Sequence, residues 1–368
     1  MKIAFFFGSM GRGGAERVIS TLANEFIKLN DEIIIVTADN SPSGYWLDER
    51  VRLIHINNAG VSRNAAEAVH RNIRSIRCMR SILKKEKPEV VVSFELRMAV
   101  FLVLAFPFKR RFRLIASERA NPAYAERGRT EEALLNMFLP KVDGFIFQTE
   151  LVKEKYPAVL QMKGVVIPNG VFPEDIPAKL PSFESRKHNS LCAVGRLSWQ
   201  KGYDVMIDAF QMFHDSHPEH YLHIYGEGPD REALKQQIER CELEDSVILE
   251  GNVPDVVQRI ADNGMFILAS RYEGMPNALM EAMACGLPCV AADCDFGPSE
   301  LIDNGINGVL VPVDDAKALA SAMTNIADDL SFANMLSENA AAIMDTNGKE
   351  EITMKYHSFI KQLVQRRK

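Results

Sequence analysis

Two carboxylates, Glu273 and Glu281, stand with seven residues between them in RYEGMPNALMEAMACGLP, residues 271–288. The apolar run MFILAS (265–270) before them and PCVAAD (288–293) after them both read as buried strands. Between those strands Gly274, Met275, Pro276 and Asn277 make a tight turn, and Ala278, Leu279 and the residues up to Cys285 read as a short helix closed by Gly286. In an open parallel sheet, ligands sit beyond the carboxyl ends of the strands. A helix opening there offers free backbone N–H groups and a partial positive charge to an anion. A lone Glu is ordinarily a solvated helix or loop acid. Here the turn is forced by Gly, Pro and Asn, and the helix is too apolar to be exposed, so both acids border a built turn. A second constellation, GRLSWQKG (195–202), puts Arg196 and Lys201 on a loop leading from a strand into a helix. Two cations at such a place suit a diphosphate, because they offset the charge that grows as a leaving group departs.

The elements that must hold these residues alternate along the chain. In the first half, apolar runs at 2–8, 32–38, 52–56, 89–94, 113–118, 143–149 and 164–168 read as strands, with helices notably at 16–29, 64–87, 130–139 and 149–156. In the second half strands fall at 191–195, 221–226, 246–251, 265–270, 288–293 and 308–313. Helices there fall near 203–216, 229–241, 277–285, 315–329 and 331–344. Strand–helix alternation of this kind implies parallel, doubly wound α/β sheets. PNGVFPEDIPAKLPSFESRKHNS (168–190), rich in Pro and polar residues, reads as a linker and hinge. The expected organisation is a domain over 1–170, a linker over 171–190, a second domain over 191–347 and a polar helix at 348–368.

Composition excludes several classes. With 368 residues, 47% hydrophobic and 25% charged, the chain suits two soluble domains. A net charge of −6 argues against nucleic acid as the main partner. Six Cys without a CxxC pair read as buried thiols in a reducing compartment. His214, His217, His220 and His223 recur every third residue, but the last two enter a strand whose faces would separate them, so no metal is expected. No run approaches the roughly 18–20 apolar residues that span a bilayer, and the expected location is cytoplasmic. GSMGRGGAER invites a dinucleotide fingerprint, with Asp39 ending the second strand, but Glu16 stands where the third glycine is needed.

The stretch from Glu273 to Glu281 resembles the E-x7-E motif of retaining GT-B glycosyltransferases, a group that includes bacterial polysaccharide and lipid-linked-glycan transferases. The resemblance covers almost the whole chain. It implies two facing Rossmann-like domains with a cleft between them and a terminal helix crossing back to the first. It further implies that Glu273 lies by the donor sugar and Glu281 binds the ribose. Arg196 and Lys201 match the family's diphosphate motif, and Gly13 and Gly14 its glycine-rich loop. Gly226 and Gly228 (YGEGPDRE), with Asn252 and Val253 (GNVPD), would hold the nucleotide, although each is by itself an ordinary strand-to-helix turn. Gly274 through Leu279 complete the nucleotide-sugar set.

On the acceptor side, Glu118 and Arg119 end a strand in ASER (116–119). Many relatives carry His where Arg119 stands; an Arg can hold hydroxyls and phosphate but cannot act as a base. Front-face substitution, in which the leaving phosphate oxygen takes the acceptor proton, needs no such base. The helix at 64–87 is a basic anomaly: Arg71, Arg74 and Arg77 step by three, followed by Arg80, Lys84 and Lys85. Its apolar set, Val69, Ile73, Ile76 and Leu83, is expected on another face. That basic face is either simply solvated or a surface for anionic lipid and a lipid-diphosphate-linked acceptor, and KRRFR (109–113) adds a second cluster. The expected activity is metal-independent transfer of a hexose or N-acetylhexosamine from a nucleotide-diphosphate sugar, most simply UDP-linked, to a lipid-linked or polysaccharide glycan. No further cofactor is expected. Two alternatives remain open: a nucleotide-sugar 2-epimerase and a non-catalytic nucleotide-sugar-binding protein.

Overall fold

Apolar runs without alternation become strands covered on both faces, as parallel sheets require. In the computed structural model, which describes residues 1–11, 13–57, 64–119, 128–172 and 176–366, those runs form two parallel sheets. The first joins β1 (Lys2–Phe7), β2 (Glu32–Thr37), β3 (Arg52–His55), β4 (Val90–Ser93), β5 (Arg113–Ser117), β6 (Gly144–Phe147) and β7 (Gly164–Val166) in the order β3-β2-β1-β4-β5-β6-β7. The second joins β8 (Lys187–Val194), β9 (Tyr221–Tyr225), β10 (Val247–Gly251), β11 (Asn263–Leu268), β12 (Cys289–Ala292) and β13 (Val309–Val311) in the order β10-β9-β8-β11-β12-β13. Strand order reverses between β1 and β4 in one sheet and between β8 and β11 in the other. Those are the places where doubly wound sheets take ligands.

The chain divides into one unit of residues 1–169 with 350–368 and another of residues 170–349. The terminal helix Lys349–Gln365 is amphipathic rather than polar: Ile352, Thr353, Tyr356, Ile360 and Leu363 are buried. Within the first unit Tyr356 stacks on Phe94, and His357 meets the ring of Phe26 and the carboxylate of Asp31 (2.9 Å). Gly144 in β6 permits the close approach, since a Cβ there would lie 2.5 Å from Leu363.

Two expectations need correction, and one helix was not foreseen. The segment read as a linker is packed: Val171 pairs with Gly348 in an isolated bridge, Ile176 and Leu180 lie on the second unit's core, and β8 already begins at Lys187. Apolar contacts, rather than periodicity, fix it. On the helix Ala65–Glu86, Val69 (58% exposed) and Ile73 (43%) lie outward with Arg74 and Arg77, while Leu83 is buried. The helix Leu96–Ala105, nearly all buried, was hidden because its apolar residues run all round it.

Candidate active site

At the carboxyl edge of the second sheet, two loops from neighbouring strands are tied together. The loop after β8 carries Arg196 and Lys201, and the loop after β11 carries Ser270 to Glu273. The N–H of Arg271 donates to Gln200 O (2.8 Å), and Gln200 Nε2 donates to Tyr272 O (3.0 Å). Arg271 then locks the pair. Its guanidinium donates to Asp204 (2.6 and 3.0 Å), Asp314 (2.8 Å) and Trp199 O (2.6 Å), and lies over the Trp199 ring. Gly202 turns the loop at φ 63°; a Cβ there would stand 2.1 Å from the carbonyl oxygen of Ala269. Only glycine permits that approach.

The product of this clamping is a buried ion pair. Lys201 Nζ donates to Glu273 Oε1 at 2.6 Å, and Ser270 Oγ donates to the same oxygen at 2.6 Å. Glu273 is 6% exposed, so the carboxylate is held inside the loop pair rather than in solvent. Burial, reinforced by the charge of Glu273, pushes the Tyr203 hydroxyl up and the Cys294 thiol up to about 12. Arg196, by contrast, is exposed and makes no ion pair among the described residues.

Beside the pair lies a cleft of about 260 Å³, lined by Gly195, Arg196, Gly226, Glu227, Asn252 and Val253 among others. Backbone bonds stitch its walls: Gly195 N to Tyr225 O (2.9 Å), Leu197 N to Glu227 O (3.0 Å) and Gly226 N to Gly251 O (2.8 Å). A Cβ on Gly226 or Gly228 would stand 1.9 or 2.1 Å from the carbonyls of Gly195 and Leu197, so these glycines serve close loop packing. The helix Asn277–Ala284 follows the turn at Gly274–Pro276, with Glu281 half-buried on its second turn. Met275 and Leu279 point into the core, so toward a ligand they offer only backbone.

In the first unit the switch point holds a carboxyl that the sequence reading missed. Glu95, just after β4, accepts from the N–H of Gly8, just after β1 (3.0 Å), and burial pushes its pKa up. It borders a cleft of about 180 Å³ shared with Arg71, Asn72, Ser75 and Arg97. Arg74 and Arg77 are exposed on the same helix. Gly13 precedes and Gly14 opens the helix Gly14–Lys28. Glu118 is buried, accepting from the Tyr156 hydroxyl and from Arg119 N (3.0 Å). The Arg119 guanidinium donates to Asn169 Oδ1 (2.6 Å) and the Tyr356 hydroxyl (3.2 Å) and lies over the Phe94 ring. Its buried Nε has no hydrogen-bond partner among the described residues. Of the four histidines of 214–223, His214 lies against the Phe210 ring, His217 and His220 pack on Phe213, and His223 bonds Glu250 (2.7 Å).

Two Rossmann-like units built on parallel sheets of this order are the architecture of the GT-B glycosyltransferases. The chain belongs to the glycosyltransferase families whose models match it: Glycosyltransferase Family 4 over residues 12–175 and Glycosyl transferases group 1 over residues 175–342. Among curated relatives, an uncharacterized glycosyltransferase of Haemophilus influenzae is 23% identical over 95% of this chain and 97% of its own. The GalNAc-α-(1→4)-GalNAc-α-(1→3)-diNAcBac-PP-undecaprenol α-1,4-N-acetyl-D-galactosaminyltransferase of Campylobacter jejuni is 25% identical over 92% of each chain. Among solved structures, the fold is shared with HepE of Anabaena in complex with UDP and glucose (TM-score 0.81, 19% identity, 98% of this chain and 100% of that one). It is shared also with sucrose-phosphate synthase of Thermosynechococcus elongatus (TM-score 0.84, 17% identity, 98% of both chains).

Proposed function

We propose that the protein is a retaining, metal-independent transferase that moves a hexose or N-acetylhexosamine from a UDP-sugar to a lipid-diphosphate-linked or polysaccharide glycan, working at the cytoplasmic face of a membrane. The observation that carries this is the buried Lys201–Glu273 pair beside the glycine-walled cleft. An ammonium has three donors; one goes to Glu273, and the others serve the diphosphate together with Arg196. These cations stabilise the charge that develops on the leaving UDP, the work a metal ion does elsewhere. Glu273 orients the donor sugar and steadies positive charge at the anomeric carbon. The bond from that carbon to the phosphate oxygen breaks with its electron pair leaving on UDP. The acceptor oxygen bonds on the same face, and its proton passes to the departing phosphate oxygen. Glu281 holds the ribose, and the loops at Gly226–Gly228 and Asn252–Val253 hold the rest of the nucleotide. Gly13, Gly14, Glu118, Arg119 and the Arg71 helix serve the sugar and the acceptor. The UDP- and undecaprenol-related names of the relatives support this choice of donor and acceptor.

The test is release of UDP from a panel of UDP-sugars in EDTA, with and without lipid-diphosphate glycans. Acceptor-dependent release with the anomeric configuration kept is the expected result. Loss of activity in EDTA that Mg²⁺ restores refutes the metal-free mechanism. Donor binding without turnover across the panel leaves a binding protein, and acceptor-free isomerisation an epimerase.

A further inference from the structure

The basic helix Ala65–Glu86 serves two ends of the first sheet. Arg71 borders the cleft at the strands' carboxyl edge. Thirteen residues on, about 20 Å along a helix at 1.5 Å per residue, Lys84 borders a different and larger hollow of about 560 Å³. This one lies at the amino edge, where Pro88 and Glu89 lead into β4 and Arg111 and Phe112 lead into β5. Five cations surround it: Arg80, Lys84, Lys87, Lys109 and Arg111. Its single carboxylate, Glu89, already accepts from the N–H of Lys2 (2.9 Å). The floor is apolar, built on Leu83 and on Phe106 and Phe112, whose rings meet edge to face at 5.2 Å. Arg80 is held in place by Ala105 O (2.9 Å) and the face of Phe106.

Cations in a helix's last turn ordinarily answer its dipole, and Lys84 fits that account. Lys109 and Arg111 do not, since they reach the hollow from a separate loop. Lys84, Lys87 and Lys109 make no ion pair among the described residues, in a chain whose net charge is −6. On the same loop Phe108 is 99% exposed, between an exposed Pro107 and Lys109. Convergent cations over an apolar floor, with a projecting aromatic ring beside them, match a phosphate group that carries hydrocarbon. A fully exposed ring next to cations is also the arrangement that enters a bilayer interface.

We propose that this hollow binds the phosphate headgroup of an anionic phospholipid, with Phe108 entering the bilayer interface, and so docks the first unit on a membrane. The inference rests on the membrane part of the reading above and not on the chemistry of transfer.

The experiment is flotation of the full chain with phosphatidylglycerol-containing vesicles, compared with pure phosphatidylcholine. The protein should float only with the anionic vesicles. Each basic residue near such a surface is worth about fivefold in partitioning, so Lys84→Gln with Lys87→Gln and Lys109→Gln should lower it about 100-fold. Lys235→Gln with Lys317→Gln and Lys361→Gln, an equal charge change on other exposed surface, should leave it within about twofold. Phe108→Ser should weaken flotation without altering its salt dependence. If the Lys84 set floats like the wild type while Arg74→Gln with Arg77→Gln does not, the membrane reading stands and the hollow is not the site. If the wild type floats with no anionic vesicle, both fall, and UDP release still judges transfer on its own. Binding of inositol hexakisphosphate at these lysines without flotation would assign the hollow to a soluble polyanion and overturn the proposal.

Discussion

Replacing Glu273 by Gln separates what the buried pair does for the fold from what it does for chemistry. The amide keeps the shape of the side chain and removes its charge. The partner Lys201 side chain is only 18% exposed, so its ammonium is left without a counter-charge in a poorly solvated place. Breaking a buried pair by removing one member typically costs 3–5 kcal/mol, and the remaining wetting of Lys201 puts this case at about 3 kcal/mol. A unit of this size moves about 2–4 °C per kcal/mol, so its melting midpoint should fall by about 6–12 °C while staying folded at room temperature. UDP release should fall by about 100- to 1000-fold, the usual effect of losing one preorganised charge. The double variant, Glu273→Gln with Lys201→Met, removes both charges and should recover most of the midpoint, since neutral replacements of buried pairs are often tolerated. It should recover none of the turnover. The assays are calorimetry and UDP release on the same preparations. An unchanged midpoint in the single variant refutes the pair as a buried one, and restored turnover in the double variant refutes its part in the chemistry.

Gly202→Ala must hold a Cβ at φ 63°, 2.1 Å from a carbonyl oxygen. It should cost more than about 2 kcal/mol and shift Lys201, so that the midpoint and UDP release fall together; retention of both shows that the loop relaxes freely. In the first unit Glu86 takes paired bonds from Arg52 (2.8 and 2.9 Å) and one from Lys2 (3.2 Å). The hydrogen bond from Arg52, ahead of the others, holds its pKa at about 2 against an ordinary 4.5. A carboxyl depressed in the folded state stabilises above its unfolded pKa, and that stability is lost as pH falls from about 5 toward 2. Glu86→Gln should flatten the fall of the melting midpoint across that window, and an unchanged slope would show that other carboxylates govern it.

The sheets were legible because buried parallel strands leave a signature in adjacent residues. IAFFF, IIIV and MFIL are continuous apolar runs, and the helical segments between them imply parallel pairing. The loops carrying Arg196, Lys201 and Glu273 were legible for a related reason, since glycine and proline mark where strands end. What joins them was not. Lys201 and Glu273 are 72 positions apart, and no local rule says that an acid after one strand will meet a lysine after its neighbour. The Arg271 clamp is hidden likewise, because its partners Asp204 and Asp314 look like solvated acids on helix-entry loops. Glu95 carried no signal beyond its place after β4. A strand order placing β4 beside β1 would have brought it to Gly8, but order is not written in periodicity. Val69 and Ile73 misled for the opposite reason, since their spacing suits a core face that the helix turns to solvent.

The terminal helix makes the first unit discontinuous in the chain, and this sets an order for its folding at the ribosome. Residues 1–169 emerge first, but their core is closed by Tyr356, which is 0% exposed against Phe94 and Arg119. At about 5–20 residues per second, synthesis of residues 170–349 keeps that face waiting roughly 10–40 s. During that interval the apolar seat for Tyr356 and Leu363 is open to chaperones, while the second unit, continuous in sequence, can finish alone. A nascent chain halted before residue 350 should therefore hold a protease-resistant second unit and a sensitive first one.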